Sequence, residues 1–212
     1  TAYSVAFSPD GNTLATASDN TVLLWSVKTG KITATLPIKA SARNVAFSPD
    51  GTLLAADGNN GTGGIAQIWN VKTGRTTAML SGTGYGRGIA FSPDGTLLAT
   101  GSDFNAVLLW DVKTGKKTST LSGHTNNSVA SLAFSPDGST LASGNYDGIW
   151  LWDVSTGQTT ATLKGYTGTN SVAFSPDGSI LATTSDGSAL HLWDVKTSQT
   201  TATVSSYTGF LY

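Results

Sequence analysis

Short apolar runs alternate with turn signals along the whole chain. In the first stretch Ser4-Val5-Ala6-Phe7 leads into Ser8-Pro9-Asp10-Gly11. There Pro presets φ at the first central turn position, Asp suits the second, and Gly accepts the left-handed conformation that follows. Leu14–Ser18 then reads as a second strand, and Asp19-Asn20 as a tight connection to a third, Thr21–Trp25. Val27-Lys28-Thr29-Gly30-Lys31 turns the chain again into a fourth strand, Ile32–Leu36. Four short strands separated by turn signals predict an antiparallel meander. Small or apolar residues on both faces predict sheets sandwiched between neighbouring sheets. No segment carries a helical period long enough to predict a helix.

This unit recurs. Phe-Ser-Pro-Asp-Gly begins at Phe7, Phe47, Phe91, Phe134 and Phe174, and a Trp closes the third strand at Trp25, Trp69, Trp110, Trp152 and Trp193. The later fourth strands are expected at Thr76–Leu80, Lys117–Leu121, Thr159–Leu163 and Thr200–Val204. A strand-rich period near 40 residues means one supersecondary unit copied in series. Radial packing of such sheets is a β-propeller. The expected fold is therefore all-β, a five-bladed propeller of four-stranded antiparallel blades without helices. It forms one domain over 1–212, with blades at about 1–40, 41–84, 85–125, 126–167 and 168–212.

Leu141-Ala142-Ser143, Asp147-Gly148 and Trp152-Asp153, with Trp110-Asp111 and Trp193-Asp194, resemble the WD-repeat β-propellers, in a Phe-Ser-Pro-Asp-Gly form like the bacterial type. The resemblance covers essentially the whole chain. It implies a buried hydrogen-bond relay among His, Ser or Thr, Asp and Trp. Only Gly123-His124 supplies the family's Gly-His pair, so His124, Ser143, Asp147 and Trp152 form the one complete set. The first two repeat Trp are followed by Ser26 and Asn70 rather than Asp. Such propellers usually have six to eight blades, closed by strands shared between the two termini. Five complete units here predict a closed ring held by packing of blade one on blade five. Excision from a longer array, or self-association through incomplete closure, is the alternative to this closed, monomeric ring. The tail Tyr207-Thr208-Gly209, an echo of Tyr166-Thr167-Gly168, points to that alternative.

Composition narrows the chemistry. All 13 acidic residues are Asp, and the formal net charge is −1, which argues against nucleic acid or an anionic membrane as a partner. With no Cys and two His, a thiolate metal site is excluded and a His-based triad has little to build from. No enzymatic activity, cofactor or metal is expected. The Gly-rich stretch Asp57–Gly64 joins two strands and lacks the Lys and following helix of a phosphate loop. His191 occupies the place held by Leu23, Gln67, Leu108 and Trp150, a variable packing position.

Eight of the 12 basic residues lie in the turns of one face, where turn carboxylates balance them. On the opposite face the copies diverge. Four residues before each repeat Phe stand Tyr3, Arg43, Arg87, Ala130 and Asn170, entering the innermost strands at the channel mouth. Lys39, Tyr85, Tyr166 and Tyr207 lie in nearby connections. Arg and Tyr favour recognition surfaces, so this face is expected to bind a protein or peptide; the alternatives are a carbohydrate- or small-ligand-binding propeller, or an excised or engineered repeat array with no independent function.

Overall fold

A computed structural model describes residues 2–83, 88–102, 105–125, 129–164, 168–185 and 189–205. Among them every regular element is a strand, and every described strand pairing is antiparallel. The first sheet has the order β1 (Ala2–Phe7), β2 (Thr13–Ser26), β3 (Ile32–Phe47), β4 (Leu53–Asn59), β5 (Gly64–Asn70) and β6 (Thr76–Thr83). Three four-stranded sheets follow. The second comprises β7 (Ile89–Phe91), β8 (Leu97–Gly101), β9 (Ala106–Asp111) and β10 (Lys117–Ser122). The third is β11 (Ser131–Phe134), β12 (Thr140–Asn145), β13 (Gly148–Asp153) and β14 (Thr159–Leu163). The last is β15 (Thr169–Phe174), β16 (Ile180–Ser185), β17 (Ala189–Asp194) and β18 (Gln199–Ser205).

The first sheet differs from the sequence expectation because two connections stay extended. Asn20 takes φ 61° inside β2, so the chain reverses without leaving strand geometry. One half of β3 pairs with β2 from Ile32 to Pro37, and the other half pairs with β4 from Ser41 to Phe47. The Gly-rich stretch is also mostly strand: Asn59 pairs with Gly64, leaving Asn60–Gly63 as the hairpin loop.

The turns hold themselves. The Gly11 N–H donates to the Ser8 carbonyl at 2.9 Å, Ser8 Oγ donates to Asp10 Oδ1 at 2.5 Å, and Thr13 N–H donates back to Ser8 Oγ at 2.9 Å. Ser48, Ser92, Ser135 and Ser175 repeat the Ser-to-Asp bond. The second turn is braced by the residue after each Trp: Asp111 Oδ1 accepts from Thr114 N–H and Oγ–H at 2.7 and 2.6 Å. Ser26 Oγ and Asn70 Oδ1 accept the equivalent Thr N–H bonds, so a side-chain oxygen suffices where the family prefers Asp.

The core lies between successive repeats, in four hydrophobic clusters among the described residues. In each, a face rich in Ala from one repeat packs on the Trp-bearing face of the next. Ala15, Ala17 and Leu24 meet Val45, Leu54 and Trp69. Ala55, Ala66 and Ile68 meet Leu98 and Trp110. Ala99 and Leu109 meet Leu141 and Trp152, and Ala142 and Leu151 meet Leu181 and Trp193. Small residues on one side let the indole approach, and the buried rings add to the apolar stabilisation supplied by the surrounding Leu, Ile and Val side chains.

Among the described residues the contact expected to close the ring, between the first and last repeats, is not made. Val45 and Val172 are buried at 7% and 6% exposure, whereas Val5, their equivalent in the first repeat, is 61% exposed. Phe7 is 63% exposed, and no packing of β15 or β16 on β1 comparable to that between successive repeats is found among the described residues. The sequence showed both faces to be apolar. Which faces are covered depends on where the stacked sheets bring the first and last repeats.

Candidate functional site

Three of the first strands carry a β-bulge at the same place. Register shifts between Ala2 and Ser4, between Ala42 and Asn44, and between Thr169 and Ser171. The extra residues are Tyr3, Arg43 and Asn170, the positions counted back four from the repeat Phe. A bulge leaves one residue outside the ladder and re-aims its side chain. Tyr3, Arg43 and Asn170 are all exposed, and so is Lys39. Ala130 lies just before β11, its N–H bonded to the Gly144 carbonyl at 2.8 Å.

Two of these bulges meet. The Arg43 guanidinium carbon lies 4.3 Å from the centre of the Tyr3 ring, a cation–π contact between the first and second repeats. Tyr3 OH donates to Asp19 Oδ1 at 3.3 Å, and Ser41 Oγ donates to the same oxygen at 3.1 Å. The ring therefore holds Arg43 in place. Among the described residues no carboxylate is paired with Arg43, so its donor fork is available to a ligand. Tyr85, Arg87, Tyr166 and Tyr207 lie outside the described residues.

Asp57 pairs with Asn44, the residue that follows Arg43. It is 1% exposed in the middle of β4, at the position occupied by Ala17, Gly101, Gly144 and Thr184 in the other repeats. Burial pushes its carboxyl up to about 6, although Asn44 and the Gly88 N–H bond it in the opposite direction. Asn44 donates through its backbone N–H at 3.1 Å and its side-chain amide at 3.0 Å. The bulge at Arg43 sets the register that brings Asn44 opposite Asp57. Reading the sequence turn by turn missed this, although an Asp where the other copies carry small or hydroxyl residues was a visible signal.

His124, Ser143, Asp147 and Trp152 form one connected network. Trp152 Nε1–H donates to Ser143 Oγ at 2.7 Å, and Ser143 Oγ lies 2.7 Å from His124 Nε2. His124 Nδ1 is 3.2 Å from Asp147 Oδ1. The directions fix the tautomer: Ser143 accepts from the indole and donates to Nε2, and Nδ1–H points at the carboxylate. Burial lowers the His124 pKa against the opposing pull of Asp147. Burial works to raise Asp147, but bonds from Thr125 and His124 outweigh it and leave its pKa lowered. Gly123 is required beside this network, because a Cβ there would collide with the Trp150 ring, which stacks on Trp152 with centroids 5.5 Å apart.

The remaining histidine is also buried. His191 Nδ1 lies 3.1 Å from Thr203 Oγ1, and its ring is tilted against Trp193. Among the described residues no group of three or more His, Asp or Glu side chains is placed to hold a metal ion. Clefts described on the opposite face repeat between successive turns. One of about 420 Å³ is lined by Pro9, Asp10, Asp50 and Gly51, and another of about 390 Å³ by Pro136, Asp137, Asp177 and Gly178.

The family model of the nucleolar protein 10-like N-terminal domain, a β-propeller, matches residues 3–197. The chain belongs to this β-propeller family. No curated protein matches the sequence. As a propeller domain the chain presents its loops on two faces of stacked sheets, and the Tyr3–Arg43 contact lies on one of them. The first strands are the elements through which successive sheets approach one another most closely across the inner edge of the propeller.

Proposed function

We propose that this propeller is a non-enzymatic scaffold that binds an acidic protein or peptide segment over the face carrying Tyr3 and Arg43. The observation that carries the reading is the pre-positioned Arg43, stacked on Tyr3 and free of a carboxylate among the described residues. A planar donor fork held by an aromatic ring loses little rotamer entropy on binding, which suits bidentate capture of a carboxylate. Lys39 adds positive charge on the same connection, and Arg87 has the corresponding sequence position in the third repeat. Both histidines are engaged in buried hydrogen bonds, and the eight turn carboxylates brace their own turns. This supports binding rather than catalysis. The proposal takes the two halves of β2 and of β3 as separate repeat strands, which makes five blades.

The test is a peptide array of acidic, neutral and basic sequences probed with the labelled domain. Acidic peptides are expected to bind, with affinity lowered at least tenfold in Arg43→Ala plus Arg87→Ala. Binding that ignores both Arg, or hits confined to a parallel glycan array, would sink this reading in favour of a carbohydrate-binding propeller.

A further inference from the structure

The hairpin between β4 and β5 ends in a loop whose polar groups converge on one side-chain amide. Asn59 pairs with Gly64, and the Asn60 N–H donates to the Gly63 carbonyl at 3.1 Å. At the tip Asn60, Gly61 and Thr62 are exposed. Asn60 Oδ1 accepts two bonds, from the Thr62 N–H at 3.0 Å and from the Thr62 hydroxyl at 2.9 Å. The Gly61 N–H donates to Asn59 Oδ1 at 2.5 Å. Backbone N–H groups can only donate, so both amides present their oxygen to these bonds.

Asn60 is the one Asn in the chain that precedes a Gly. Every other Asn is followed by a residue whose Cβ crowds the approach to its backbone nitrogen. Gly61 takes φ 88°, and a Cβ on Gly61 or on Gly63 would meet nothing within 4 Å. The loop therefore has room for the Asn60 side chain to turn onto the Gly61 nitrogen. The two Thr62 donors already point at the amide oxygen, where negative charge develops when a nucleophile adds to Cγ. Donors placed in advance on such an oxygen lower the barrier.

We propose that Asn60 is a self-modifying site, deamidated by attack of the Gly61 nitrogen on its side chain. A base from solvent, hydroxide or buffer, takes the Gly61 N–H proton as the N–Cγ bond forms, and the Thr62 N–H and hydroxyl hold the oxyanion. The intermediate collapses with cleavage of the Cγ–Nδ2 bond, and the side-chain nitrogen takes up a proton and leaves as ammonia. Water then opens the cyclic succinimide at either carbonyl, leaving Asp or isoaspartate in place of Asn60. Water is the one co-reactant and ammonia the one by-product. The product carries one further negative charge, beside Asn59, which pairs with Ser41 two residues from Arg43. The reaction does not depend on the peptide-binding reading.

Ageing the purified chain at neutral and mildly alkaline pH reads the reaction, followed by isoelectric focusing, ammonia assay and mass mapping of the tryptic peptide 44–72. An acidic species is expected that forms faster as pH rises, releases ammonia, and maps to Asn60 as a mixture of Asp and isoaspartate. Charge gain and ammonia distinguish it from isomerisation in the Asp-Gly turns, which gives neither. Thr62→Val should slow the folded protein by about threefold or more, the effect of one lost hydrogen bond. Thr62→Ser, which keeps both donors, should retain the wild-type rate, and in urea all three chains should react alike. Gly61→Ala should slow the reaction in the folded and the unfolded chain. A charge that stays unchanged, an acidic species that maps to another Asn, or a folded Thr62→Val that keeps pace with the wild type overturns the proposal.

Discussion

Trp69 is fully buried with its indole N–H unpartnered, and Ala56 is the reason. In the other four repeats the indole donates to a hydroxyl at that place: Trp25 to Thr16, Trp110 to Thr100, Trp152 to Ser143 and Trp193 to Thr183, at 2.7–3.0 Å. A buried donor left without a partner costs about 1–3 kcal/mol. The apolar methyl of Ala56 cannot accept the bond, and the surrounding cluster keeps water out.

Ala56→Ser is therefore expected to stabilise the protein by about 1 kcal/mol. For a chain of this length that is a rise in melting temperature of about 2–4 °C. Urea unfolding of the variant beside the wild type checks it, and an unchanged midpoint would show that the indole N–H is not the limiting defect.

Ser143→Ala breaks the same bond in the fourth repeat and orphans His124 Nε2 as well. The expected cost is about 2–4 kcal/mol, since two buried polar atoms lose a partner at once. Thr16→Val, the matching change in the first repeat, should cost under about 1 kcal/mol because water reaches the open face and replaces the bond. Equal losses at the two sites would argue for a covered first repeat.

Asp57→Asn tests the buried carboxyl by its pH dependence. With a folded pKa of about 6 against 3.8 unfolded, the folded state binds more protons between these values. The contribution of this group is present below pH 3.8 and is lost as pH rises through 6. The variant should thus gain on the wild type by about 3 kcal/mol at most between pH 4 and pH 8. His124, with its pKa lowered by burial, works oppositely, costing stability as pH falls below 6.5. Taking the difference between variant and wild type at each pH removes that contribution.

Gly123→Ala places a methyl against the Trp150 ring, which is stacked on Trp152 and cannot swing away without opening the relay. The expected cost is about 1–3 kcal/mol, the usual range for overpacking a filled core. Thermal melts of this variant and of Gly61→Ala, where the added carbon meets nothing within 4 Å, separate collision from backbone strain, because only Gly61 has positive φ.

The sequence alone determined what is local. The Ser-Pro-Asp-Gly turns, the Asp, Asn or Ser brace after each Trp and the strand order follow from contacts a few residues apart, as with Ser8 and Asp10. The His124 network was legible too, because its members carry side chains with few other uses in one β-unit. Tertiary structure decided the rest. The bulges at Tyr3, Arg43 and Asn170 arise from strand register, which the pattern of side chains leaves free by one residue. Asp57 reads as a loop residue until the pairing with Asn44 buries it. Trp69 reads like every other repeat Trp until the methyl opposite it is seen. Above all, Val5 and Val45 are the same residue in the same motif, and one is exposed while the other is buried. Burial belongs to the neighbouring sheet some 40 residues away, and stacking geometry alone decides whether that neighbour is there.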